Sequence, residues 1–194
     1  MFIGKYNKSV ILTYMGVGFA LTGIHYLLNG RSDITMICLI IAGICDLFDG
    51  TVARKCKRDE EEKEFGIQID SLSDVVSFLV FPMVVLIKFD NRMLPVAILF
   101  VLAGIIRLAY FNIHSESTPN YYKGVPVTTV SLILPIYYLL AVHIEVLEGF
   151  YGLLYLIVAI SFILNVKVKK PKGIWYIIFS LIAVIVTIGI LLTA

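Results

Sequence analysis

Long uninterrupted apolar stretches constrain the fold of this chain more than any other feature of its sequence. A helix needs about 20 consecutive apolar residues to span a bilayer. Seven stretches near that length occur, at residues 9–28, 33–54, 67–88, 93–114, 125–146, 149–166 and 173–193. With 59% hydrophobic residues and a mean hydropathy of +0.93, the 194-residue chain carries more apolar surface than a soluble core could bury. We therefore predict an all-α, polytopic membrane helix bundle.

We expect about seven transmembrane helices in one integral membrane domain covering residues 1–194. Counts of six or eight are the alternatives, because only the polar patch at residues 143–149 interrupts the stretch from 125 to 166. The first apolar stretch is full length and no small-residue cleavage site follows it, so we expect it to stay as a helix. The one charged run, residues 55–64, mixes both signs and is predicted to be a short loop.

The distribution of lysine and arginine predicts the orientation. With a cytosolic N-terminus, the outer segments hold only Arg31, Lys88 and Arg92. The inner segments then hold Lys5, Lys8, Arg54, Lys55, Lys57, Arg58, Lys63, Lys123, Lys167, Lys169, Lys170 and Lys172. This bias follows the positive-inside rule and supports seven helices, because the lysine-rich link at residues 167–172 lies inside only with an odd number. The net charge of +2 therefore reflects topology, and we expect no nucleic-acid partner.

Four aspartates stand at the predicted cytosolic ends of the second and third stretches. At about 100° per residue, each pair shares a helix face with small and polar neighbours. The faces hold Asp46, Asp49, Gly50, Ala53 and Arg54, and Gly66, Asp70, Ser73, Asp74 and Ser77. Ala42 and Gly43 extend the small-residue strip, which predicts close antiparallel packing of these two helices. Because ionisable groups in a span are costly and indicate function, we expect the carboxylates to converge in one site.

Converging carboxylates in a low-dielectric site repel one another unless cations neutralise them. Hard oxygen ligands favour magnesium, manganese or calcium over zinc. A two-metal carboxylate site is a recurrent arrangement for phosphoryl chemistry, so a phosphate ester is the implied substrate. Arg54 is placed to pair with a phosphate, and Gly50 and Gly66 leave room for a substrate beside the backbone.

Two other interpretations compete with an enzyme. A single intramembrane aspartate can serve as a helix–helix hydrogen bond, although four on two facing stripes argue against that role. A cation-dependent membrane transporter would use the same carboxylates. Transporter sites usually lie near the bilayer midplane on broken helices, whereas these aspartates lie near the cytosolic ends.

The two segments read Asp46-Leu-Phe-Asp49-Gly50-Thr-Val-Ala53-Arg54 and Gly66-Ile-Gln-Ile-Asp70-Ser-Leu-Ser-Asp74. This pattern closely resembles the signature of the CDP-alcohol phosphotransferases, membrane enzymes that make phospholipid head groups, and every fixed position of the signature is filled. The link from Arg54 to Gly66 is a few residues longer than is common in that family. A cytosolic loop should tolerate such an insertion.

The resemblance implies a role for each signature residue. The four aspartates would ligate two magnesium or manganese ions that hold the pyrophosphate of a CDP-linked lipid. Asp74 would also act as the general base that takes the acceptor's proton, with CMP as the leaving group. Gly50, Ala53 and Gly66 would line the cytidine pocket. Arg54 would hold a phosphate.

Sequence around the third and fourth aspartates points to the acceptor alcohol. The run Asp70-Ser-Leu-Ser-Asp74-Val-Val-Ser77-Phe, followed by Arg107-Leu-Ala-Tyr-Phe-Asn112 and Lys123-Gly-Val-Pro126, is similar to the phosphatidylserine synthase branch. Ser71 and Val75 stand where the glycerol-phosphate branch more often has proline and lysine. The resemblance therefore implies transfer of a phosphatidyl group from CDP-diacylglycerol to L-serine.

A serine acceptor needs a partner for its carboxylate, and Arg107 in the fourth stretch is the natural bidentate candidate. The alternatives for Arg107 are snorkelling toward the membrane interface and pairing with an aspartate. Ser77 and Lys123 are further candidate acceptor contacts, and an ordinary loop lysine is the alternative for Lys123. Glycerol phosphate, inositol phosphate or another amino alcohol stays open as acceptor, because three positions depart from the serine pattern: Leu79, Phe81 and Tyr110.

The resemblance also implies a setting for the enzyme. It implies an integral protein of the cell (plasma) membrane, a homodimer, with its active site facing the cytosol. A cytosolic opening suits a soluble nucleotide product, and contact with the bilayer suits a lipid substrate.

Overall fold

The computed structural model describes residues 8–114, 121–169 and 173–193, together with Gly4. Its helices are α1 (Ile11–Leu28), α2 (Ser32–Lys55), α3 (Glu60–Asp74), α4 (Phe81–Phe89), α5 (Leu94–His114), α6 (Val130–His143), α7 (Tyr151–Ile163) and α8 (Ile174–Thr193). A π-helical segment, Val75–Val80, joins α3 to α4 in one continuous helix, Glu60–Phe89. The described chain also has two short strands, β1 (Tyr121–Lys123) and β2 (Lys167–Lys169), and four 3-10 helical segments, Lys8–Val10, Asn91–Met93, Val127–Thr129 and Glu145–Phe150.

The predicted membrane bundle is confirmed. Within the described residues, six helices are long and apolar enough to cross a membrane, and Val127–His143 is a shorter apolar helix. Together they correspond one for one to the seven apolar stretches of the sequence. Many of their large hydrophobic side chains are exposed on the outside of the bundle, as expected for surfaces that face lipid.

The third helix begins earlier than predicted. It starts at Glu60, inside the run of charges that we predicted to be a loop, so that prediction is wrong for the second half of the run. The cause is local. Asp59 and Glu62 form a capping box, in which the Glu62 N–H donates to Asp59 and the Asp59 N–H donates to Glu62, at 2.7 and 3.0 Å. Such a cap and the glutamates of the first turn stabilise a helix N-terminus.

Strands β1 and β2 form an antiparallel ribbon, with Lys123 opposite Lys167, that the all-α prediction did not include. The ribbon joins the α5–α6 link to the α7–α8 link, so both links lie at one end of the bundle. Gly124, next to β1, has a φ of +75°, and a Cβ atom there would lie 2.2 Å from the Phe162 carbonyl oxygen. Only glycine fits this position without moving the backbone.

The small-residue strip on α2 is used differently from the prediction. Helix α2 packs most extensively on α1, where a Cβ atom at Gly16 would lie 3.4 Å from Cys45 and 3.6 Å from the Ala42 carbonyl oxygen. Gly43 faces α6, and a Cβ atom there would collide with Ser131. The strip therefore brings α1 and α6 close to α2, whereas we expected it to bring α3 close.

The π-helical segment begins directly after Asp74. The Phe81 N–H donates to the Val76 carbonyl, five residues earlier, as a π-helix requires. Pro82 follows and has no N–H to continue the α-helical pattern. The carbonyl of Pro82 accepts a 2.7 Å hydrogen bond from the buried Tyr155 hydroxyl of α7. This contact fixes α7 against the helix that carries Asp70 and Asp74.

Candidate functional site

Three of the four predicted aspartates meet at the ends of α2 and α3. Carboxylate oxygens of Asp46, Asp49 and Asp70 all lie within 4.8 Å of one another. Asp46 and Asp49 come from successive turns of α2, and Asp70 reaches them from α3. Helical periodicity on two elements therefore places the three side chains in one cluster, as the sequence predicted.

Asp74 lies one turn deeper along α3 and is 9% exposed. Its carboxyl group contacts that of Asp46, and the carboxyl groups of Asp49 and Asp70 contact each other in the same way. Acidic groups this close repel one another unless protons or cations lie between them. The four residues therefore form one electrostatic unit.

A narrow cleft runs from the cluster into the protein. It is lined by Thr13, Gly16, Ala42, Asp46, Asp49, Ser73, Asp74, Ser77 and Phe78. Its volume of about 10 Å³ is close to what a single bound water requires. The two α1 residues show that the cleft is closed by a third helix, which sequence reasoning did not assign to the site.

Arg107 approaches the deep end of the cluster from α5. It is 6% exposed, its guanidinium lies 4.9 Å from the centre of the Phe111 ring, and its positive charge acts on Asp46 and Asp74. The structure therefore brings the predicted acceptor residue Arg107 beside the predicted general base. The same position fits the alternative interpretation, in which Arg107 pairs electrostatically with aspartates.

The predicted nucleotide-pocket residues lie at the outer end of the cluster. Arg54 is exposed, donates a 2.9 Å hydrogen bond to Thr51, and acts electrostatically on Asp49. A Cβ atom at Gly50 would lie 3.5 Å from an Arg54 nitrogen. Ala53, on the same helix, is half-buried.

The second predicted pocket glycine meets an arginine from the loop before α3. A Cβ atom at Gly66 would lie 3.3 Å from an Arg58 guanidinium nitrogen. Arg58 belongs to the link between Arg54 and Gly66, which is longer than usual for the family that the signature resembles. Sequence reasoning gave this side chain no role beyond its positive charge.

The two remaining acceptor candidates have different surroundings. Ser77 is 3% exposed and lines the cleft. Lys123 does not line the cleft, and it donates a 2.9 Å hydrogen bond to the Tyr110 hydroxyl on α5. The structure thus brings Ser77 to the aspartates and places Lys123 near the C-terminal end of α5.

Two polar contacts of the site were missed by sequence reasoning. The Thr13 hydroxyl donates to Asp49 Oδ2 at 2.9 Å. Asn112 on α5 is hydrogen-bonded to Ser71, the residue after Asp70, with its amide nitrogen 2.9 Å from the Ser71 hydroxyl oxygen. Both are polar residues in otherwise apolar helices, which is a usable signal. Their partners depend on how the helices pack, which the sequence does not state.

The chemistry of the cluster fits a hard divalent cation. It offers carboxylate oxygens from Asp46, Asp49 and Asp70 at mutual distances that one ion can bridge. Histidine and cysteine are absent from this set, which disfavours zinc. Such a cation would offset part of the negative charge of the cluster, which reduces the repulsion between its members.

Comparisons with known proteins identify the family of the chain. A model of the CDP-alcohol phosphatidyltransferase family matches residues 7–188. An archaetidylserine synthase from Methanothermobacter thermautotrophicus is 32% identical over 127 residues, which cover 63% of this chain and 54% of that protein. A CDP-diacylglycerol–serine O-phosphatidyltransferase from Helicobacter pylori strain J99 is 33% identical over 121 residues, covering 59% of this chain and 50% of that protein.

A third relative extends the comparison to a protein of similar size. The CDP-diacylglycerol–serine O-phosphatidyltransferase from Bacillus subtilis is 28% identical over 144 residues, which cover 72% of this chain and 79% of that protein. The matches to the first two relatives span about half the length of those proteins. The family match covers nearly all of the chain and includes every residue of the aspartate cluster.

Proposed function

Because the chain belongs to the CDP-alcohol phosphatidyltransferase family, we propose that it transfers a phosphatidyl group from CDP-diacylglycerol to L-serine. The products would be phosphatidylserine and CMP. One observation carries the proposal: aspartates of the two signature segments, Asp46 and Asp49 on α2 and Asp70 on α3, meet in one cluster. The names of the three relatives support serine as the acceptor.

Asp46, Asp49, Asp70 and Asp74 would hold the divalent metal, with two magnesium or manganese ions shared among the four carboxylates. When bound, such ions neutralise phosphate charge and orient the pyrophosphate for displacement. The convergence of Asp46, Asp49 and Asp70, with Asp74 in contact with Asp46, supports this assignment.

Asp74 is our candidate for the general base. Its carboxylate would accept the proton of the serine hydroxyl as that oxygen forms a bond to the β-phosphorus. The bond from this phosphorus to the oxygen bridging to the α-phosphate breaks, and CMP leaves with that oxygen and its electron pair. The depth of Asp74 supports this role, because bulk water has little access to a carboxylate that is 9% exposed.

The outer residues would bind the nucleotide. Gly50, Ala53 and Gly66 would line the cytidine pocket, and Arg54 would pair with a phosphate. The electrostatic action of Arg54 on Asp49 supports this placement, since it puts the positive charge beside a proposed metal ligand. The nearby exposure to solvent suits release of CMP.

Arg107 would bind the carboxylate of serine. The hydroxyl and carboxylate of serine are only a few bonds apart, so a serine site needs a base and a cation close together. Arg107 and Asp74 meet that requirement, because the Arg107 charge acts directly on Asp74. Ser77 lines the same cleft and would offer a hydroxyl to the acceptor. Lys123 would contact the acceptor only from the periphery of the site.

The enzyme would work at the inner face of the plasma membrane as a homodimer. The cluster end of the bundle carries Arg54, Lys55 and the ribbon lysines, which supports a cytosolic orientation by the positive-inside rule. CDP-diacylglycerol would enter from the bilayer, with its head group at the cluster and its tails among the exposed apolar side chains.

Comparing acceptors tests this proposal. Purified protein with CDP-diacylglycerol and manganese would be given L-serine, glycerol phosphate, inositol phosphate or another amino alcohol at equal concentration, and CMP release would be measured. We expect release with serine well above release with the other alcohols. Faster release with another alcohol would overturn the serine assignment and keep the reaction class. Metal-stimulated ion flux in liposomes without CMP release from any acceptor would favour a transporter.

A further inference from the structure

Helix α1 reaches the aspartate cluster through one side chain. Thr13 lies in the first turn of α1, lines the cleft, and donates its hydroxyl hydrogen to Asp49 Oδ2 at 2.9 Å. Asp49 is 7% exposed, and the Gly50 N–H and the Asp70 carboxyl group are the other hydrogen-bond partners of its carboxyl group. Thr13 belongs to neither signature segment.

We propose that Thr13 is a positioning residue that orients the Asp49 carboxylate toward the bound metal. This inference rests on the proposed metal site of the aspartate cluster. A carboxylate on a helix can rotate about its side-chain bonds, and each orientation presents different oxygens to a cation. A hydrogen bond to one oxygen fixes the group and leaves the other oxygen for the ion.

The backbone of α1 around Thr13 lies close to α2, the helix that carries Asp49. One turn later, Gly16 packs against α2. A Cβ atom added at Gly16 would be in ordinary van der Waals contact with Cys45 and the Ala42 carbonyl oxygen. Close approach of α1 and α2 brings a short side chain within hydrogen-bonding distance of Asp49. A threonine hydroxyl has little reach and a restricted rotamer, so its donor direction is well defined.

The same pair of helices offers a matched control at its other end. Thr35 of α2 is fully buried, and its hydroxyl oxygen lies 3.2 Å from the Gly23 carbonyl oxygen of α1 and 2.8 Å from the Arg31 carbonyl oxygen at the start of α2. Thr13→Val and Thr35→Val therefore each remove one polar contact between α1 and α2. Only the first contact touches an aspartate of the cluster.

Direct manganese binding tests the inference without lipid substrate. The concentration of free Mn²⁺ would be followed by electron paramagnetic resonance as purified protein in detergent is titrated with the metal. We expect Thr13→Val to weaken Mn²⁺ binding by about 10- to 100-fold, the usual effect of removing a hydrogen bond that orients a metal ligand. Thr13→Ser, which keeps the hydroxyl, and Thr35→Val should bind Mn²⁺ close to wild-type strength.

Two outcomes would overturn the inference. Thr13→Val could bind Mn²⁺ like the wild type, or Thr35→Val could weaken binding as much as Thr13→Val, which would indicate a general packing effect. Thermal unfolding of each variant in detergent checks that it is folded, and Thr13→Ala replaces Thr13→Val if the valine variant does not fold.

A further variant separates this inference from the metal site itself. Asp49→Asn should weaken Mn²⁺ binding at least as much as Thr13→Val. If Asp49→Asn binds Mn²⁺ normally, the proposed metal site fails. If Asp49→Asn weakens binding and Thr13→Val does not, only the role of Thr13 fails.

Discussion

Gly66 lies next to the Arg58 side chain, at the position we propose for the nucleotide. Replacing Gly66 with alanine would add one methyl group there. A Cβ atom at Gly66 would lie 3.3 Å from the Arg58 guanidinium, which is the mobile end of a flexible side chain. The protein can therefore accept the methyl group by moving Arg58. The space left for cytidine would shrink.

We predict that Gly66→Ala folds normally but binds CMP about tenfold more weakly, a change of roughly 1.4 kcal/mol. Binding of CMP to the purified protein would be measured by calorimetry. Gly18→Ala is the control, because a Cβ atom there meets nothing within 4 Å. Equal CMP affinity in Gly66→Ala and wild type would remove Gly66 from the pocket.

Single residues also show why part of the site could be predicted from sequence. Asp46 and Asp49, and likewise Asp70 and Asp74, are three and four residues apart, so a helix places each pair on one face whatever the rest of the fold does. Thr13 and Asn112 act across helices, on Asp49 and Ser71. No spacing rule in a single sequence connects residues so far apart.

The continuous helix Glu60–Phe89 depends on a contact from another helix. Its π-helical segment precedes Pro82, and the Tyr155 hydroxyl of α7 donates to the Pro82 carbonyl at 2.7 Å. Tyr155 is fully buried, so loss of its hydroxyl leaves the carbonyl without this donor in an apolar environment.

We predict that Tyr155→Phe lowers the free energy of unfolding by about 1–3 kcal/mol. Thermal unfolding in detergent would measure the change, with the exposed Tyr14→Phe on α1 as the matched control. A midpoint for Tyr155→Phe equal to that of Tyr14→Phe would show that the hydrogen bond does not stabilise the bundle.

The ribbon of β1 and β2 depends on one glycine. Gly124 combines a positive φ with a backbone contact to Phe162, so an alanine there meets both strain and a collision. We predict that Gly124→Ala destabilises the protein by at least about 1–2 kcal/mol, the usual cost of a left-handed conformation in a residue with a Cβ atom. Gly149→Ala, where a Cβ atom meets nothing, should unfold like the wild type. An unchanged midpoint for Gly124→Ala would contradict the account of the ribbon.

Elements differ in how far the sequence determines them. Apolar length located every membrane helix, because the bilayer imposes that length on any spanning segment. The predicted start of α3 is wrong because a run of charges favours a loop, whereas Asp59 and Glu62 form a capping box that begins the helix at Glu60. The ribbon pairs two segments that are remote in sequence, so local pattern gave no sign of it. The single domain over residues 1–194 stays a prediction.

The orientation of the whole molecule can be read from its own cysteines. Cys56 is half-exposed between α2 and α3, whereas Cys38 and Cys45 are buried in α2. We predict that a membrane-impermeant maleimide labels Cys56 only after cells are permeabilised. Asn91→Cys in a Cys56→Ser background, at the opposite end of the bundle, should be labelled in intact cells. The reverse pattern would place the aspartate cluster outside the cell.

The most direct test of the central claim, that the aspartate cluster carries out the transfer, is CMP release by Asp74→Asn. Release from CDP-diacylglycerol would be measured at saturating L-serine and manganese and compared with wild type and with Asp90→Asn, which changes an aspartate at the other end of the bundle. Asp74→Asn should release CMP about 10²- to 10⁴-fold more slowly, the usual contribution of a general base, while Asp90→Asn releases it at the wild-type rate. Wild-type release by Asp74→Asn would contradict the account.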